Sequence, residues 1–153
     1  MFDTTVDTLY VWVAVGAVSL AVFGVVLGLP TGAPPDAAAA ATTIDEVATS
    51  PPGSVATRDL HADEWTLTNR RLGLRSDGGT AHQALLRPVV PVADGRLSAV
   101  LAGAEPSERF DSPRAFERAA SAAGTTDTRW RPAPDSITVR HVAWGGVDVT
   151  LVG

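Results

Sequence analysis

Cysteine and lysine are both absent from this chain. The first absence excludes a disulfide framework and a thiolate metal site. The second leaves arginine as the whole basic complement, twelve residues against seventeen Asp and Glu, for a formal net charge of −5. A phosphate-binding face needs clustered positive charge, so this balance argues against nucleic acid as a partner. Motifs that carry chemistry are missing as well: there is no G-x-S-x-G elbow, no phosphate loop and no zinc-protease helix motif. The sequence predicts neither an enzyme nor a resident cofactor.

Charge of either sign is missing from Leu9 to Leu29, LYVWVAVGAVSLAVFGVVLGL, a run of twenty-one residues. As an α-helix it would reach about 31 Å, the thickness of a bilayer's hydrocarbon core, where only a helix satisfies its own backbone. The sequence thus predicts a short tail at 1–8, a transmembrane helix at 9–29, a Pro/Ala-rich stalk at 30–54 and a small α+β domain at 55–153. The tail carries Asp3 and Asp7 and no arginine, unlike the basic start of a cleaved signal. The one arginine pair, Arg70-Arg71, lies far downstream, which excludes a twin-arginine signal. Ala37 to Ala41 offers the small residues of a cleavage site as the alternative. No arginine precedes the run and the first after it is Arg58, so the positive-inside rule is silent. The Pro/Ala/Thr-rich stalk and the lack of cysteine favour a C-terminal domain outside the cell. The expected location is the cell membrane, single-pass, with that domain extracellular. Within the run, Gly24 and Gly28 form a G-x-x-x-G pair, the spacing that lets helices pack closely in lipid.

Pro30 to Pro35 must break any helix. Asp36 can cap a second one, AAAAATTIDEVATS, in which Ala40, Ile44, Val47 and Ala48 share a face. It serves either as a stalk or as a helix lying on the domain's sheet. Further on, Trp65 to Thr68 and Leu72 to Arg75 flank Asn69-Arg70-Arg71 as a hairpin. Thr80 to Val92 is extended, with Pro88 and Pro91 demoting it to an edge. Asp111-Ser112-Pro113 opens a helix whose period runs through Phe116, Ala119, Ala120 and Ala123, and Gly124 stops it. The chain closes on Ile137 to Trp144, Gly145-Gly146 and Val147 to Val152, a two-residue hairpin loop between alternating runs. The predicted fold class is α+β: an N-terminal transmembrane helix, then a small antiparallel-sheet domain with one packed helix.

Candidate sites are few. Asp59-Leu60-His61-Ala62-Asp63-Glu64 clusters oxygen and imidazole ligands, and His82 or His141 would complete a zinc or manganese site. Acidic loops of this kind are also ordinary solvated surface. Glu105, Glu108 and Asp111 mimic a paired carboxylate site, yet they surround a helix start, where acids suit the dipole. Arg70, Arg71 and Arg75 form the most basic stretch, suited to an acidic partner or to a solvated strand edge. Trp65, Trp130 and Trp144 read as core or rim aromatics.

Phe2-Asp3 before the hydrophobic run, Phe110-Asp111-Ser112-Pro113, and Trp144-Gly145-Gly146-Val147-Asp148-Val149-Thr150 at the close resemble a family of small haloarchaeal membrane proteins without assigned activity. The Asp-rich, Lys-free composition, heavy in Ala, Val and Thr, agrees. In molar salt the Debye length is about 3 Å, so scattered charges mostly solvate the protein. The resemblance implies a pilin-like or accessory role in type IV pilus-like machinery. The pattern departs from a pilin at Pro30, Pro34 and Pro35, which interrupt what a pilin keeps as one helix. The acid of a pilin's mature N-terminus is matched only by Asp3 or Asp7.

The function this predicts is a membrane-anchored structural or assembly component. Its partners are the membrane and proteins met through the transmembrane helix and the domain surface, including a second copy. The alternative is a membrane-anchored binding or metal-dependent module using the Asp59–Glu64 stretch.

Overall fold

The computed structural model describes residues 11–19, 32–124 and 129–153, in two units, Met1–Thr31 and Gly32–Gly153. In the first unit, residues 11–19 are helical (α1), with Val11, Trp12, Val13, Val15 and Val18 exposed. All nine of these described residues are helical. Among the described residues no helix is long and apolar enough to cross a membrane. This finding corrects the predicted transmembrane helix at 9–29, and with it the membrane, single-pass and extracellular-domain assignments. Gly24 and Gly28, like the tail at 1–8, lie outside the described residues.

The second unit is α+β and richer than predicted. Its helices are α2 (Ala37–Thr49), α3 (Arg96–Leu101), α4 (Pro106–Arg109) and α5 (Pro113–Gly124). Strands β1 (Val55–Asp59), β7 (Ser136–Trp144), β8 (Val147–Val152) and β5 (Val90–Pro91) form one sheet in that order. Strands β4 (Gly79–Ala84), β3 (Arg71–Ser76), β2 (Glu64–Leu67) and β6 (Arg131–Pro132) form the other. All pairs are antiparallel except β5 with β8. That parallel pair arises because the chain leaves β4, crosses between the sheets through Leu85 to Val89, and enters the other sheet beside β8.

The helix starting after Asp36 is core and not stalk. Asp36 caps α2 by accepting from Ala39 N–H at 2.9 Å. Its buried face, Ala37, Ala40, Ala41, Ile44, Val47 and Ala48, repeats at helical spacing. The alanines let the helix approach both sheets, and Ile44 packs in one cluster with Leu67, Leu72 and Leu74 of one sheet and Ile137 and Val139 of the other. Alternation sends Val142 of β7 to the opposite face with Leu151, where α3 and α5 contribute Val100, Phe116 and Ala120. Arg140, on that same face, donates to the Val100 and Ala104 carbonyls and so ties the end of α3 to β7.

The closing hairpin forms as predicted, with Gly145 and Gly146 both at positive φ, 57° and 87°. At Gly145 a side chain is excluded twice over, since a Cβ would also overlap the ring of Pro113.

Candidate functional site

Strand register builds a cleft on the outer face of the β4-β3-β2-β6 sheet. Thr66 of β2 pairs with Gly73 of β3, which pairs with His82 of β4. Side chains alternate across a strand, so these three share the face opposite the buried Trp65, Leu67, Leu72 and Leu74. Gly73 supplies no side chain, and the space above it is taken from both sides. A Cβ there would lie 2.7 Å from His82 Nδ1 and 2.7 Å from Thr66 Cγ2. Trp130, just before β6, meets His82 with ring centroids 5.7 Å apart. Arg75 stacks on the same indole at 4.1 Å from the ring centroid and pairs with Glu64 at 2.9 Å. The indole is thereby held by an aromatic and a cation–π contact.

The cleft has a volume of about 450 Å³ and is lined by Thr66, Thr68, Arg70, Arg71, His82, Ala84 and Trp130. That suits a small ligand or a few side chains of a larger one. None of these lining residues is acidic, although the chain as a whole is. Arg70, on the β2–β3 turn, and Arg71, the first residue of β3, are exposed and have no ion pair among the described residues. Thr66 Oγ1 is buried with no hydrogen-bond partner among the described residues. A buried hydroxyl without a partner is uncommon enough to mark this floor. Two planar, multidentate cations beside an aromatic wall and hydroxyls make an acceptor-binding surface suited to carboxylates. A groove of about 520 Å³ beside α5 and β8 is larger, but it is lined by Glu117 and Asp148 with no cation among the described residues.

The predicted metal stretch does not assemble. Asp59 ends β1 opposite Ser136, whereas His61 and Asp63 lie in the next loop, beside Asp77 and Gly78. His82 belongs to the cleft. His141 is buried elsewhere, with Nδ1 2.6 Å from the Ser50 carbonyl and Nε2 2.7 Å from Asp148 Oδ1. A carbonyl only accepts, so Nδ1 donates and the ring pins the end of α2 to β8. Among the described residues no group of three or more His, Asp or Glu is placed to hold a metal. Glu105 and Glu108 serve the start of α4, where Glu108 Oε2 accepts from Glu105 N–H at 3.3 Å. Trp65 is core and Trp144 packs on Phe116, so of the three tryptophans only Trp130 reaches the cleft.

Sequence reading singled out Arg70, Arg71 and Arg75 but missed Thr66, Gly73 and His82 as their company. The register of the predicted hairpin, extended through β4, was the available signal.

A family model covers residues 3–142, which take in the whole cleft and both strands flanking its floor. The chain belongs to DUF7283, a family of unknown function. No curated protein and no solved structure matches it. Within the DUF7283 match lie α2, all of the β4-β3-β2-β6 sheet and most of β7, while β8 follows it. The kinship predicted with a family lacking an assigned activity holds at that level, and the match itself carries no chemistry.

Proposed function

We propose that this DUF7283 chain is a non-catalytic protein-interaction module, a component of an assembly, that recognises an acidic partner through the Arg70–Arg71 cleft. The observation that carries the reading is a local excess of positive charge, without any lining carboxylate among the described residues, on a chain of net charge −5. The ion pair of Arg75 with Glu64 and the stacking of Trp130 hold the cleft's wall, leaving Arg70 and Arg71 for the partner. Among the described residues the lining offers donors and a wall but no nucleophile–base pair: the His82 imidazole faces an indole. A partner met by exposed arginines gains in association rate and specificity, and its binding weakens as salt screens the pair.

The test is fluorescence polarisation of a labelled ten-residue polyglutamate with the full chain and with its Arg70→Glu/Arg71→Glu variant. The expected result is saturable binding by the natural chain and a loss of about tenfold or more on charge reversal, since each tenfold corresponds to about 1.4 kcal/mol. Equal binding by both chains, or none by the natural chain, would overturn the proposal.

A further inference from the structure

The two sheets have four outer edges, and three of them are blunted. Strands β5 and β6 are two residues long and each contains a proline, Pro91 and Pro132. Strand β1 carries Arg58 and Asp59. Strand β4, Gly79-Thr80-Ala81-His82-Gln83-Ala84, has neither charge nor proline over six residues. Short length, charge and proline are the usual defences of an edge, so β4 stands open to another strand.

The hydrogen-bond pattern says which groups it offers. Leu85 N–H donates to the Arg70 carbonyl at 2.9 Å. Antiparallel pairs alternate, so Gln83 with Leu72 and Ala81 with Leu74 are the bonded pairs. Thr80, His82 and Ala84 therefore turn their N–H and C=O groups away from β3. Their side chains lie on the cleft face, which His82 and Ala84 help to line. The open edge and the cationic cleft are contiguous.

We infer that β4 receives an extended strand from an acidic protein partner, with main-chain bonds to Thr80, His82 and Ala84 and a carboxylate side chain beside Ala84 directed to Arg71. Arg71 is the cross-strand neighbour of Ala84 on β3. An added strand would lie two spacings from it, about 10 Å, a distance that an arginine and a glutamate span together. The methyl group of Ala84 leaves that path open. Main-chain bonds give such a contact affinity, and alternate side chains reaching the cleft give it specificity. The inference rests on reading the cleft as a site for an acidic partner.

The experiment selects random twelve-residue peptides displayed on phage against the immobilised full chain. The expected winners carry Asp or Glu at alternate positions, and the Arg70→Glu/Arg71→Glu chain holds them about tenfold less well. Synthetic winners are then N-methylated at every second residue, in each of the two phases. Binding should vanish in the phase whose N–H groups face β4 and persist in the other. Thr80→Pro, which removes an outward N–H and leaves the β3 ladder intact, should weaken the same peptides. Acidic peptides that bind equally well in both methylated phases would overturn strand addition while leaving the acidic site standing. Winners without acidic residues would overturn both.

Discussion

The Gly73→Ala substitution tests the claim that two side chains meet over the cleft floor. The new Cβ would stand 2.7 Å from His82 Nδ1 and from Thr66 Cγ2, where carbon contacts prefer about 3.5–4 Å. Thr66 is buried and β-branched, so its χ1 is stiff, whereas His82 is exposed and gives way. Moving His82 forfeits its pairing with Trp130, about 0.5–1.5 kcal/mol. Residual crowding against Thr66 adds a cost at the lower end of the overpacking range of about 1–3 kcal/mol. Replacing glycine returns about 0.4–1 kcal/mol through the unfolded chain. The net expectation is a destabilisation of about 1–2 kcal/mol, read from urea denaturation at unchanged slope. In a His82→Ala background the same substitution should cost about 0.5–1.5 kcal/mol less, because only Thr66 remains in the way. Costs that add within about 0.5 kcal/mol would refute the arrangement of the floor.

Three further outcomes follow from the packing. Ile44→Ala should destabilise the chain by about 2–5 kcal/mol in chemical denaturation, as expected for a fully buried isoleucine; a helix serving as a stalk would register little. Gly145→Ala should cost about 1–2 kcal/mol from its left-handed backbone, and Pro113→Ala alongside it should recover only the part due to overlap, both read as thermal midpoints. His141→Phe should cost about 1–3 kcal/mol and speed hydrogen exchange at the end of α2, because it removes the bridge from the Ser50 carbonyl to Asp148.

Local signals in the sequence were legible wherever one residue dictates its own backbone. Gly145-Gly146 demanded positive φ and formed the hairpin. Ser112 before Pro113 opened α5, its Oγ accepting from Ala115 N–H at 3.3 Å. The alternating run Ile137 to Trp144 formed a strand with two buried faces, Ile137 and Val139 on one and Val142 on the other. What was illegible depended on partners distant in the chain. The alanine-rich run after Asp36 has weak amphipathicity alone, and its burial is decided by two sheets that close around it. The two-residue strand at Arg131–Pro132 leaves almost no periodic trace, yet it is what brings Trp130 to His82. The span predicted from the uncharged run at Leu9 is corrected because, among the described residues, no helix is long and apolar enough to cross a membrane. The basic stretch at Arg70 to Arg75 was visible, but its division of labour was not. Arg75 turns to Glu64 and Trp130, while Arg70 and Arg71 line the cleft.

The most direct test of the cleft as the site of an acidic partner is residue-resolved: an amide and indole NMR titration of the isotope-labelled full chain with decaglutamate. The account predicts that Thr66 to Gly73, Thr80 to Ala84 and the Trp130 indole move together along one saturable curve. Shifts confined to the groove beside α5, or spread evenly over surface arginines outside the cleft, would contradict it.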